Sequence, residues 1–132
     1  MAIRTGRLAL RAMTGAAGTG LVLLGAIALI APARLMAQVG LEAPGALGLN
    51  FMRGDVAASL ILVGGLALRA MRHGDGRLLD IPLVWAALVI GGRLLGLVAD
   101  TGGMAHAGAL LPALVLAGLM LPARLWMRGT GS

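Results

Sequence analysis

Of the eleven arginines and five acids in this 132-residue chain, the one that bears most on chemistry is Arg93, the ionisable residue set deep inside an apolar stretch. An arginine in hydrocarbon costs about 3 kcal/mol or more, so such residues face a bundle interior or a wet cavity and take a partner. Arg93 lies seven residues before Asp100, which on a helix puts both on one face, about 10 Å apart along the axis. Asp55 and Glu42 are further partners available to it. Two chemistries follow. In the plainer one Arg93 snorkels outward and pairs with Asp55 or Asp100 to lock helices together. In the sharper one Arg93 and Arg53, with Asp55 and Asp100 beside them, line a shallow outward-facing pocket that grips an anionic group such as a lipid phosphate or a carboxylate. Ion passage is weaker, because no stretch carries a polar stripe long enough to line a pore.

Other chemistries lack their residues. The absence of cysteine removes disulfides, thiolate metal sites and a Cys nucleophile. His73 and His106 fall at opposite ends of the apolar stretches, about a membrane thickness apart, and so share no metal or haem. No glycine-rich phosphate loop, Ser-His-Asp set or paired intramembrane carboxylate is present. We therefore expect no enzyme, no metal and no cofactor.

The elements that must position Arg93 are set by composition. Hydrophobic residues make up 59% of the chain, glycine contributes 22 more positions and charged residues only 12%, about half the charge of an ordinary soluble domain. Mean hydropathy is +0.95. Four apolar runs, at about 14–34, 55–72, 80–99 and 105–126, are each long enough for a hydrocarbon core of about 30 Å. They are apolar on every side, which argues for helices over an alternating β-barrel. The expected fold is all-α: a four-helix integral membrane bundle, one transmembrane domain over residues 1–132. Arg4, Arg7 and Arg11 before the first run, with Ala31-Pro32-Ala33 after it, have the outline of a cleaved signal. The run is long for a signal core, so an uncleaved first span is expected.

Charge placement orients the spans. Arg4, Arg7, Arg11, Arg69, Arg72, Arg77, Arg124 and Arg128 fall in segments that share one side, with Asp75 and Asp80, and carry the whole net charge of +6. Arg34, Arg53 and Arg93 balance Glu42, Asp55 and Asp100 on the other. The positive-inside rule then places both termini in the cytoplasm, which for a bacterial cell means a multi-pass inner-membrane protein. Trp85 and Trp126 lie at the basic boundary as interfacial anchors. The charge that would otherwise point to nucleic acid thus records orientation and contact with anionic lipid. Only two Trp, one Phe and no Tyr are present to stack on bases, and no nucleic-acid partner is expected.

Small residues supply the packing signal. Gly92 and Gly96 flank Arg93 as a GxxxG pair, and Ala105, Ala109, Ala113 and Ala117 recur every fourth residue. Such ridges let backbones approach where lipid offers no hydrophobic drive, either within the chain or in a homo-oligomer. Pro32-Ala33-Arg34-Leu35-Met36 and Pro122-Ala123-Arg124-Leu125-Trp126 resemble one another but end spans of opposite direction, so a cation at a helix C-terminus explains both better than duplication. Pro112 and Pro122 are expected to bend the fourth span.

The segments Asn50-Phe51-Met52-Arg53-Gly54-Asp55 and Gly91 to Asp100 resemble the small bacterial four-span integral membrane proteins grouped as a domain of unknown function. Asn50, Arg53, Gly92, Arg93, Gly96 and Asp100 match that pattern; Ala57, Ala58 and Thr101 stand where it often has glycine. The resemblance covers most of the chain. It implies a four-helix membrane protein and no particular activity. The leading expectation is a non-enzymatic protein acting by helix association, as a self-oligomer or an accessory subunit of a larger membrane complex, with the lipid bilayer as its constant partner. The alternative is a binding or transport protein with the outward pocket around Arg93.

Overall fold

In the computed structural model, which describes residues 2–38, 45–99 and 110–128, the chain is all-helical. Helix α1 (Ala2–Ile30) is followed by α2 (Pro32–Gln38), α3 (Gly45–Phe51), a π-turn (Met52–Val56), α4 (Ala57–His73), a 3₁₀ turn (Gly76–Leu79), α5 (Asp80–Ala99) and α6 (Leu111–Arg128). Three helical stretches, Leu8–Ile30, Gly48–His73 and Gly76–Leu95, are long and apolar enough to cross a membrane; Leu111–Met127 is a shorter apolar helix.

The breaks follow local chemistry. Pro32 has no N–H to offer the Ala28 carbonyl, so α1 ends at Ile30 and the chain re-enters a helix through Arg34 N–H and Leu35 N–H, which both donate to Ala31 O at 3.1 and 3.3 Å. Gly74 ends α4 in the left-handed region at φ 68°, donating its N–H to Ala70 O at 2.8 Å. That backbone favours glycine. Asp75 then accepts from Arg77 N–H at 3.0 Å, which sets the turn into α5. Pro82 and Pro112 sit in first turns, where a missing N–H breaks no helix bond. Pro122 lies inside α6 and leaves the Gly118 carbonyl without its usual donor.

Helices α1 and α4 pack antiparallel through glycines. A Cβ on Gly64 would lie 2.6 Å from Gly18 O and 2.9 Å from Leu21 Cβ, and one on Gly25 would lie 3.0 Å from Ala57 O. Neither backbone has room for a side chain there. At the next end of the bundle, a Cβ on Gly76 would lie 2.6 Å from Arg124 O and 3.1 Å from Met127 Cβ, so the α4–α5 turn is seated against the end of α6. The core gathers Leu21, Val63, Ala67, Ala70, Leu79, Met120, Ala123 and Met127. Thr14, fully buried, keeps its hydroxyl satisfied by donating to Leu10 O at 2.8 Å, and Thr19 does the same to Gly15 O at 2.9 Å.

Outside this core the helices display large apolar side chains: Ile30 is 80% exposed, Leu88 and Leu95 71% each. Water does not tolerate that much continuous apolar surface on a small protein. The three long apolar helices and this surface describe a membrane-embedded protein.

Candidate functional site

Among the described arginines, three hold helices together through their side chains. Arg11, on α1, donates from Nε and Nη2 to Met71 O at 3.3 and 2.8 Å. Met71 lies in the last turn of α4, whose carbonyls have no intrahelical donors. Arg53, on the π-turn leading into α4, donates from Nε to Leu29 O at 3.3 Å, in the last turn of α1 before the Pro32 break. Each helix of the antiparallel pair thus has its C-terminus capped by an arginine from the other. Cations there also meet the negative end of the helix dipole.

The third is Arg124, in the last turns of α6, which donates from Nε to Asp80 Oδ1 and forms an ion pair with it. Asp80 opens α5. The acid sits at a helix start and the cation near a helix end, as both dipoles favour. Arg11, Met71, Gly76, Asp80 and Arg124 therefore share one end of the bundle, and Arg53 and Leu29 mark the other.

Arg93 differs. It follows Pro82, Ala86 and Val89 at intervals of four, three and four, and Pro82 and Ala86 are buried while Val89 is half-buried. Those positions lie on one face of α5, so Arg93 continues the bundle-facing stripe toward the Arg53 end. Its side chain is nevertheless exposed, and among the described residues it has no hydrogen bond or ion pair. Asp55 is also exposed and likewise unpaired among the described residues. Arg53 and Asp55, two residues apart on one turn, point to different sides, and no described hydrogen bond joins either to Arg93. The structure thus brings Arg53 to the end of α1, while Asp100, the fourth member of the expected cluster, lies outside the described residues.

The small residues divide similarly. A Cβ on Gly92 would meet nothing within 4 Å, so Gly92 packs against nothing among the described residues. Gly96 is helical, with its surroundings outside the description. Ala113 is 4% exposed and Ala117 half-buried; Ala105 and Ala109 lie outside the described residues. The glycines that bring backbones together are Gly18, Gly25, Gly64 and Gly76, which sequence spacing did not single out. Gly18 and Gly25 do recur at a seven-residue interval, a signal that becomes readable only once the partner helix is known. Trp85 is half-buried and packs against the core.

Among the described residues no group of three or more His, Cys, Asp or Glu could hold a metal. No family model, curated protein or solved structure matches the chain.

The outward face of α5 is the second notable surface. Ile81, Leu88, Gly92 and Leu95 fall within about 60° of arc at 100° per residue. Ile81 is 55% exposed and Leu88 and Leu95 71% each, with Gly91 and Gly92 open between them.

Proposed function

We propose that this chain is a four-span inner-membrane protein of bacterial type, with both termini cytoplasmic, that performs no catalysis and acts by helix association. Helix α6 serves as the fourth span. Its 18 residues reach about 27 Å at 1.5 Å per residue, close to the hydrocarbon thickness, with Arg128 at one end. The orientation rests on the eight arginines and two aspartates of one side and the positive-inside rule.

The observation that carries association is the outward seam of α5. A lipid-facing helix gains nothing from an open glycine, whereas a partner helix can place its backbone there between flanking leucines. Gly92 with Leu88 and Leu95 offers that arrangement, for a second copy or for a helix of a larger complex. Native mass analysis of detergent-solubilised protein tests the reading. An oligomer, or a stoichiometric co-purifying subunit, is expected; a strictly monomeric species without any companion overturns it.

Arg93 favours a second reading, in which the chain binds an anionic group at the Arg53 end. Its support is a guanidinium on the bundle-facing stripe of α5 with no described partner. A lipid phosphate or a small carboxylate has the chemistry to meet it. Retention of such a ligand by the native chain and its loss in a folded Arg93→Ala variant would carry this reading; retention in both would end it.

A further inference from the structure

A cleft of about 430 Å³ opens between α5 and α6, lined by Asp80, Leu83, Val84, Ala87, Leu121 and Arg124. On α5 the lining residues fall at intervals of three, one and three, so they form one stripe, about 10 Å long from Asp80 to Ala87. Arg124 and Leu121 face it from α6, three residues apart. Because the two helices run in opposite directions, both walls change character in the same sense. The ion pair stands at the arginine-rich end, and only Leu83, Val84, Ala87 and Leu121 continue inward.

That gradient is the profile of an amphiphile. Val84 is 60% and Leu121 48% exposed, so the apolar walls are open from the side, and Ala87 is too small to close the inner end. The ion pair at the mouth is itself partly open, with the Arg124 and Asp80 side chains 23% and 41% exposed. Among the described residues, Nε is the guanidinium nitrogen that Asp80 engages. The Nη groups remain as donors, and a guanidinium edge matches the paired oxygens of a lipid phosphate. Asp80, by holding Nε, keeps the cation at the rim and out of the apolar floor.

From the cleft we infer a phospholipid site: the phosphate meets the Arg124 Nη groups at the rim, and one acyl chain lies along Leu83, Val84, Ala87 and Leu121. The inference rests on the membrane placement but not on the α5 seam, because Ile81, Leu88, Gly92 and Leu95 lie on a neighbouring face. Alkaline carbonate extraction separates the two failures, since a chain released from the membrane would remove the placement itself.

The test uses the full chain in a mild detergent, with native mass analysis and two probes of identical acyl chains, phosphatidylglycerol and diacylglycerol. Phosphatidylglycerol should be retained at least tenfold better than diacylglycerol, because only it carries the phosphate. Ala87→Phe and Leu121→Phe, which fill the cleft and leave the ion pair intact, should each reduce retention about tenfold at unchanged helicity. Arg124→Gln should abolish the preference between the two lipids. Equal retention of the two lipids by the native chain overturns the site, a comparison that needs no variant to fold. Undiminished retention in a folded Ala87→Phe chain overturns it as well. So does a native dimer that Ala87→Phe splits into lipid-free monomers, because the occupant would then be a second copy.

Discussion

Gly64→Ala adds one methyl group where α1 and α4 touch. The new carbon would sit 2.6 Å from Gly18 O and 2.9 Å from both Leu21 Cβ and Val22 Cγ2. Carbon-to-oxygen approaches stop near 3.3 Å, so the overlap is roughly 0.7 Å, and its nearest atom is backbone that cannot rotate away. The helices must separate. A gap of 0.5–1 Å forfeits about a quarter to a half of each contact worth about 0.1–0.2 kcal/mol, and over roughly 40 atom pairs this comes to about 2 kcal/mol. Alanine returns up to about 1 kcal/mol as the better helix former, which leaves a net loss of about 1 kcal/mol or more. Gly65 is the internal control, since a Cβ there would meet nothing within 4 Å; Gly65→Ala should be neutral or stabilising. Reversible unfolding in mixed dodecylmaltoside and SDS micelles, followed by far-UV circular dichroism, measures both. The reasoning is refuted if Gly64→Ala is as stable as the native chain, or if the two alanines are equally harmful.

Three further outcomes are expected. Arg11→Ala and Arg53→Ala each remove one cap of the α1–α4 pair and should cost about 0.5–1 kcal/mol, with faster amide exchange in the last turn of α4 for the first and of α1 for the second; exchange that speeds up in neither place contradicts the caps. Arg93→Ala should leave unfolding in the same micelle assay unchanged, because no described side chain depends on it, and a loss as large as that of Gly64→Ala would make Arg93 half of a structural pair. Reporter fusions after Arg77 and after Asp100 should report cytoplasmic and external locations respectively, and the reverse pattern would invert the threading.

Much of the architecture is legible in the residues because membrane helices announce themselves by length and composition. The all-helical fold follows from runs that are apolar on every side, and the Pro32 break and the Gly74 stop each have a local cause that a reader of the chain could name. The contacts are less legible. Gly92 and Gly96 attract notice by spacing around an arginine, yet the glycines that join backbones are Gly18, Gly25 and Gly64, and their role depends on which helix lies opposite. Arg53 reads as half of a pocket from its company with Asp55; its bond to Leu29 O exists because Pro32 frees the end of α1, a consequence visible only in three dimensions. The Asp80–Arg124 pair, 44 residues apart, has no spacing signal. Arg93 is the reverse case: its oddity is plain in the sequence, and the structure adds that it continues the face of Pro82, Ala86 and Val89.

The central claim is that the outward face of α5 is covered by another helix, and a photo-crosslinking side chain placed at Leu88 or Leu95 in native membranes tests it most directly. Protein adducts are expected at both positions, of twice the chain mass or of a partner's added mass, and few at Val115 of α6. Lipid adducts alone at Leu88 and Leu95, indistinguishable from Val115, would contradict it.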